Sequence, residues 1–473
     1  MKKSMFFVVA MLLVASMVLG ACAQPTETPI VTEPPVATEE PVATEEPVAT
    51  EEPVVTEEPV VTEEPAAGLT CAEPIKVGLI TDITGPLAIY GVMMQRSFML
   101  GMEYATGSEG SAGPVFDFTK TQENTFKIDN CEIQVFVRDD AGLPENTTTV
   151  ANELIDIQKV DFLVGTASSG STAVLQGIAL ANEVPLIVAP AAANDITGKD
   201  FNVFTFRTSR NNYQDAINEC KALTAQYSSF IQIAADYAFG HGSAEAFRDA
   251  CTLEGGTFVA DDIFAPATTT DFTPYMEQIA ASGAEAYIVT WAGSGFISLV
   301  QAAKDQGVTE TMALGTTFID NALTPVFYAD AIGTTAGIVY HWSAPKNPAN
   351  DFLVAEASSR YGVYPDLFDA DGMNAAIMII ETLKKTNGDV TPATLVAAME
   401  GLEFEGPKGT IYIRPEDHVA IQDMYILKLE NVTDPTGNYY SYVDTTRPEP
   451  PCLLPEALQD RCGDLPIGSL SGN

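Results

Sequence analysis

The residues best placed to do chemistry form a hydroxyl-rich run, Gly165-Thr166-Ala167-Ser168-Ser169-Gly170-Ser171-Thr172, which follows a short apolar strand and opens a helix. Backbone N–H groups and the positive end of a helix dipole suit a carboxylate there, with Ser168 or Ser169 adding a hydroxyl donor. The same serines also suit a helix N-cap, so a purely structural role stays open. Other strand ends bring aromatic rings, Tyr237 and Phe239 in one loop and Trp291 in another, each readable as a ligand contact or as core. Catalytic patterns are missing: Ser168-Ser169-Gly170 lacks the spacing of a Gly-x-Ser-x-Gly elbow, and no Gly-x-x-x-x-Gly-Lys-Ser/Thr loop occurs. His241, His341 and His418 are the only histidines, far apart and outside any His-Glu-x-x-His spacing. No catalytic group, metal or cofactor is therefore expected, and the chain reads as a binder rather than an enzyme.

The elements that must position these residues belong to a large globular body. The chain has 473 residues, 46% hydrophobic and 18% charged, enough for two or three domains. Its 23 Lys and Arg against 64 Asp and Glu give a formal net charge of −41, which repels phosphate backbones and excludes nucleic acid as a partner. From Ile75 onward short apolar strands alternate with helical patterns: strands over 75–80, 132–137, 162–165, 186–188, 230–234, 286–290 and 337–340, helices over 147–158, 171–181, 243–253, 272–281 and 296–306. This alternation predicts an α/β fold with parallel sheets covered on both faces. About 400 residues exceed one such sheet, so two doubly wound lobes are expected. Ligands of open parallel sheets sit beyond the carboxyl ends of the strands, where the loops at 81–91 and 165–172 fall.

The first residues read as an export address. Lys2 and Lys3 precede an apolar run over 5–19, shorter than the roughly 20 residues that span a bilayer, so residues 1–21 are expected to be a cleaved signal peptide. The run ends in Leu19-Gly20-Ala21-Cys22, which resembles the lipobox of bacterial lipoproteins and implies acylation of Cys22. Residues 22–70 follow as a lipidated linker, in which Pro-Val-Ala/Val-Thr-Glu-Glu repeats five times. Proline favours an extended polyproline helix and paired glutamates repel, so a disordered acidic stalk with a reach of roughly 100 to 150 Å is predicted. It holds 12 acidic residues and no basic ones, and without it and the two leader lysines the body keeps 52 acidic and 21 basic residues, so the body is acidic in its own right. Six cysteines remain in an oxidising compartment. Nearness along the chain and to predicted elements pairs Cys71 with Cys131, Cys220 with Cys251 and Cys452 with Cys462, one of the 15 connectivities that six cysteines allow.

Ile75-Lys76-Val77-Gly78-Leu79 with Thr84-Gly85-Pro86-Leu87-Ala88-Ile89-Tyr90-Gly91, then Arg138-Asp139-Asp140, then the 165–169 run, resemble a type I periplasmic binding protein. Further along, Val184-Pro185-Leu186-Ile187 with Pro190-Ala191-Ala192, Phe206-Arg207-Thr208, residues 236–242, Thr270-Asp271-Phe272 and Gly406-Pro407-Lys408-Gly409-Thr410 keep the family's order and spacing. The nearest likeness is to the branched-chain amino-acid binding proteins of ABC transporters. That resemblance implies two lobes joined by a three-crossover hinge, residues 71–207 plus 344–405 and residues 208–343 plus 406–473 with the tail. Ligand would be trapped as the lobes close, and a permease would read the closed form. It implies a monomeric, extracytoplasmic receptor whose partners are a small molecule, permease subunits and, through Cys22, the membrane. Carried over residue by residue, Ser169 and the backbone around Ala191 and Ala192 would hold an α-carboxylate and α-amine, Tyr90 matches an aromatic near the cleft, Phe239 stands where a tyrosine packs on the ligand, and Trp291 lies near another aromatic of the second lobe. Two positions depart from the pattern: Ala193 replaces a threonine hydroxyl, and Thr317 replaces the acid that pairs with an ammonium. Asp320, Asp236 or Asp371 would have to substitute, or the ligand is not a simple α-amino acid. A hydrophobic amino acid is the expectation, with another small carboxylate or amide, or a sensor role, as alternatives.

Overall fold

The computed structural model describes residues 68–113, 117–293, 295–316 and 319–472. The leader, Cys22, the repeats and Thr317 lie outside the described residues. In the first lobe, β1 (Ile75–Thr81), β2 (Gln122–Ile128), β3 (Cys131–Asp139), β4 (Phe162–Val164), β5 (Leu186–Val188) and β6 (Thr205–Arg207) form a sheet in the order β2-β3-β1-β4-β5-β6. Every neighbouring pair is parallel except β2 with β3. The inner strands β4 and β5 are unbroken Phe-Leu-Val and Leu-Ile-Val, wholly buried because helices cover both faces, whereas edge strand β2 buries only Phe126. The second lobe repeats the plan with β7 (Ser229–Ala235), β8 (Thr257–Phe258), β9 (Ile263–Ala265), β10 (Ala286–Thr290) and β11 (Ala313–Gly315) in the order β11-β10-β7-β8, β9 also pairing with β7. The expected pair of parallel-sheet lobes is thus present.

Helices α1 (Ala88–Thr106), α2 (Pro144–Glu153) and α3 (Ser169–Asn182) serve the first sheet. Helices α4 (Asn212–Thr224), α5 (Ala238–Leu253), α6 (Thr273–Ser282) and α7 (Gly295–Asp305) serve the second. The chain then returns to the first lobe as α8 (Pro348–Tyr361), α9 (Asp369–Thr386) and α10 (Pro392–Met399). Helices α1 and α9 pack so closely that a Cβ on Gly101 would lie 2.8 Å from Ala376 Cβ, and one on Gly372 2.2 Å from Ser97 Oγ. Across that contact Arg96 forms a buried two-point ion pair with Asp369, Nε to Oδ1 at 2.9 Å and Nη2 to Oδ2.

Several elements differ from the sequence expectation. The helix expected over 147–158 begins at Pro144 and its last turn, Leu154–Gln158, widens to a π-helical turn. The strand expected over 337–340 is β12 (Thr335–Ile338), which lies in an antiparallel sheet with β16 (Met424–Leu429) and β17 (Tyr440–Thr446). The strands β13 (Glu403–Gly406), β14 (Gly409–Ile413) and β15 (Ala420–Ile421) place Phe404, Ile411, Ile413 and Ala420 in one apolar cluster with residues of β1, α1 and α9. The disulfides are Cys71–Cys131, Cys220–Cys251 and Cys452–Cys462, the pairing that proximity suggested. Among the described residues no helix is long and apolar enough to cross a membrane.

Candidate functional site

The carboxyl ends of β1, β4 and β5 in the first lobe face those of β7 and β10 in the second across a narrow cleft. Most hydroxyls of the 165–172 run hold the loop itself: Thr166 Oγ1 and Thr172 Oγ1 donate to the Ser168 carbonyl at 2.8 and 3.0 Å. Ser168 is the N-cap of α3, its Oγ accepting from Ser171 N at 3.5 Å. Ser169 differs, because its Oγ accepts from Ala193 N at 3.2 Å and lines the cleft. Its own hydrogen is used in no hydrogen bond among the described residues, so it can donate to a ligand oxygen.

After β5, the segment Pro190-Ala191-Ala192 lines the cleft with small side chains. Its shape is held from behind by two buried arginines. Arg207 donates to the carbonyls of Ala191 and Ala193 at 2.6 and 2.8 Å, and Arg210 donates from Nη1 to Pro190 at 2.6 Å. Arg210 also reaches the cleft surface, with its Nε on Asp215 at 3.1 Å and its guanidinium 4.9 Å from the Phe368 ring centre. The remaining lining is apolar or aromatic. Tyr90 and Phe368 meet edge to face at 5.0 Å on one side, and Tyr237 and Phe239 lie 5.9 Å apart on the other. A weak hydrogen bond from Gly293 N to Tyr90 Oη, 3.4 Å, joins the two walls.

Charge behind the cleft is unusual for so acidic a protein. Arg207, Arg210 and Lys408 are buried with Asp215 and Asp371, a surplus of one positive charge when all are ionised. Burial pulls Lys408 down to about 8 against the attraction of Asp371, and pushes Asp371 up to about 6 against the attraction of Lys408. Among the described residues lining the cleft there is a cation and no carboxylate. The arrangement offers an anion a hydroxyl, a helix N-terminus and a guanidinium, and offers a hydrophobic body four rings.

Of the residues singled out from sequence, Tyr90, Ser169, Ala191, Ala192 and Phe239 line the cleft together. Ser168 and Ala193 sit one layer behind. Trp291 points into the second lobe's core, 2% exposed and edge-on to Phe272 at 4.8 Å. Asp320 is buried but outside the lining; its Oδ1 accepts from Leu323 N at 2.8 Å, and it faces Asp366 of the other lobe beyond Tyr90. Burial, then the charge of Asp320, pushes Asp366 up to about 8. Asp236 is half exposed and pairs with His241 at 2.8 Å. Arg210 and Phe368 went unread in the sequence. The signal for Arg210 was two arginines spaced three apart at a crossover in an acid-rich chain, and Phe368 carried none.

Two α/β lobes meeting at an apolar cleft with one cationic edge have the architecture of a small-molecule binding protein. The chain belongs to the periplasmic binding protein family, which it matches over residues 74–434. It is 26% identical over 388 residues to Leu/Ile/Val-binding protein homolog 6 of Brucella melitensis, covering 80% of this chain and 92% of that one. A crystal structure of an ABC-type branched-chain amino acid transporter from Rhodopseudomonas palustris superposes with a TM-score of 0.65 at 32% identity, covering 79% and 97%. Another from the same species, a solute binding protein of an ABC transporter in complex with 3,4-dihydroxybenzoic acid, has a TM-score of 0.67 at 25% identity, covering 79% and 98%.

Proposed function

We propose that this protein is the extracytoplasmic receptor of an ABC importer, tethered through acylated Cys22 and its stalk, which closes on a small hydrophobic carboxylate and delivers it to a permease. The observation that carries the ligand class is the lining itself: Arg210 is its charged group, Ser169 supplies a hydroxyl, and four aromatic rings supply the walls. A carboxylate is satisfied there, whereas an ammonium entering with it would lose water without a counter-charge among the described lining residues. An aromatic or aliphatic monocarboxylate therefore fits better than an α-amino acid. The relative that holds 3,4-dihydroxybenzoic acid supports this class.

The branched-chain amino-acid reading has its own support in the Leu/Ile/Val-binding relatives. It requires an acid for the ammonium, and Asp320 and Asp366, whose charges act on the Tyr90 hydroxyl, are candidates. Thermal unfolding against benzoates, branched 2-oxo acids, and leucine, isoleucine and valine separates the two, since a ligand of the folded state raises the melting temperature. Stabilisation by the acids lacking nitrogen supports the monocarboxylate; stabilisation only by the amino acids overturns it.

A further inference from the structure

We propose that the C-terminal tail, residues 447–472, is a strap that crosses between the lobes beside the hinge and limits how far they open. After β17 the tail passes onto the first lobe, where Arg414 Nη1 donates to Pro450 O at 3.0 Å. Arg461 donates to the carbonyls of Glu416 and Pro415 at 3.0 and 2.7 Å and to the Glu400 carboxylate at 2.9 Å, with its guanidinium 5.1 Å from the Phe201 ring centre. Cys452, Leu454 and Cys462 bury with Phe201 in a small apolar cluster.

The tail then returns to the second lobe. Leu470 N donates to Asp249 Oδ2 on α5 at 2.8 Å, and Tyr213 Oη on α4 lies 3.5 Å from Gly468 O. Leu453 and Leu470 pack on the apolar cluster that contains Tyr213, Phe247 and Ala250. The two anchors have no slack between them. Cys452 is bonded to Cys462, its N–H donates to Pro466 O at 2.7 Å, and its carbonyl accepts from Gly468 N at 3.0 Å.

A rotation that carries α5 away from Phe201 must therefore break the contacts of residues 468–470 or unravel the tail. The family match ends at residue 434, ahead of the tail. Opening is then resisted by local contacts whose loss needs no unfolding of either sheet.

The test is hydrogen–deuterium exchange on the unliganded full chain in detergent, comparing wild type with the double variant Asp249→Ala and Leu470→Ala, both remote from the cleft. Faster exchange at the cleft segments 165–171 and 237–243, with the centres of β1 and β7 unchanged, is the expected result. Faster exchange confined to residues 447–472 and the end of α5, with both cleft segments unchanged, overturns the proposal. If protection of β1 and β7 falls as well, the milder Asp249→Asn is read by the same two outcomes.

Discussion

Arg210 and Pro190 tie the lobes together at the cleft, the Arg210 Nη1 donating to the Pro190 carbonyl across 2.6 Å while its Nε holds Asp215 at 3.1 Å. The planar fork makes both bonds at once and still leaves a face toward Phe368 and the cleft. A lysine has one point of charge and cannot reproduce that geometry. Arg210→Lys should weaken binding of a carboxylate by about 2 kcal/mol, the scale of a hydrogen bond to a charged group. Titration calorimetry with a ligand found by thermal shift checks this, and unchanged affinity would remove Arg210 from the ligand site.

Phe239 makes a different kind of contribution. It is 5% exposed and packs with Tyr90, Phe368 and Ala192, residues of the opposite lobe. Its burial therefore depends on closure. Phe239→Ala should lower affinity by roughly 1 to 3 kcal/mol, the value of burying an aromatic side chain, with little change in the unliganded melting temperature. A large fall in that temperature would instead make Phe239 part of the second lobe's core.

The Gly240-His241-Gly242 triplet is where α5 leaves β7, and the two glycines are unequal. A Cβ at Gly240 would sit 1.8 Å from the Ala235 carbonyl oxygen, while one at Gly242 would meet nothing closer than Asn194 Nδ2 at 3.5 Å. Gly240→Ala should destabilise by more than about 3 kcal/mol because backbone must move to admit it. Gly242→Ala should be neutral or gain up to about 1 kcal/mol from helix propensity. Urea denaturation of the pair tests the contrast; equal effects would mean that the strand-to-helix turn relaxes freely.

How much of this was legible beforehand depended on how each residue advertises its surroundings. The strands β4, β5 and β10 were readable because a strand buried on both faces is a short, unbroken apolar run. Helices α1 and α9 were missed because they are buried nearly all round, so neither shows the one-sided periodicity of a surface helix. Ser169 and Phe239 could be placed near the cleft since both follow the ends of parallel strands. Trp291 also follows such an end, yet its ring turns toward Phe272, a choice made by a side-chain rotamer and a partner that spacing does not encode. Phe368 reaches the cleft only because α9 folds back across α1, a contact between segments more than 250 residues apart.

The acid pair across the lobes gives the protein a specific pH dependence. Asp366 accepts from Asn321 N and Leu367 N at 2.8 and 2.9 Å, yet burial and then the charge of Asp320 push it up to about 8. An unfolded aspartate titrates near 3.9. Between those values the native state holds a proton that the unfolded chain has released, so this group's contribution to stability falls as pH rises toward 8. His341 acts in the opposite sense, since burial pulls it down to about 4 and the native state binds fewer protons from there to about 6.5. Glu400 also opposes, held down at about 2 chiefly by its hydrogen bond with His418, but its window closes near the ordinary glutamate value. Lys408, pulled down by burial to about 8, raises stability only at higher pH. The interval from about pH 6.5 to 8 therefore isolates the carboxyl groups raised by burial. Urea midpoints of the unliganded protein should fall across that interval, and Asp366→Asn should flatten the fall because its amide does not titrate. Parallel slopes for wild type and variant would show that Asp366 does not carry the proton, and would leave Glu219, which burial raises well above its usual range, as the group to replace next.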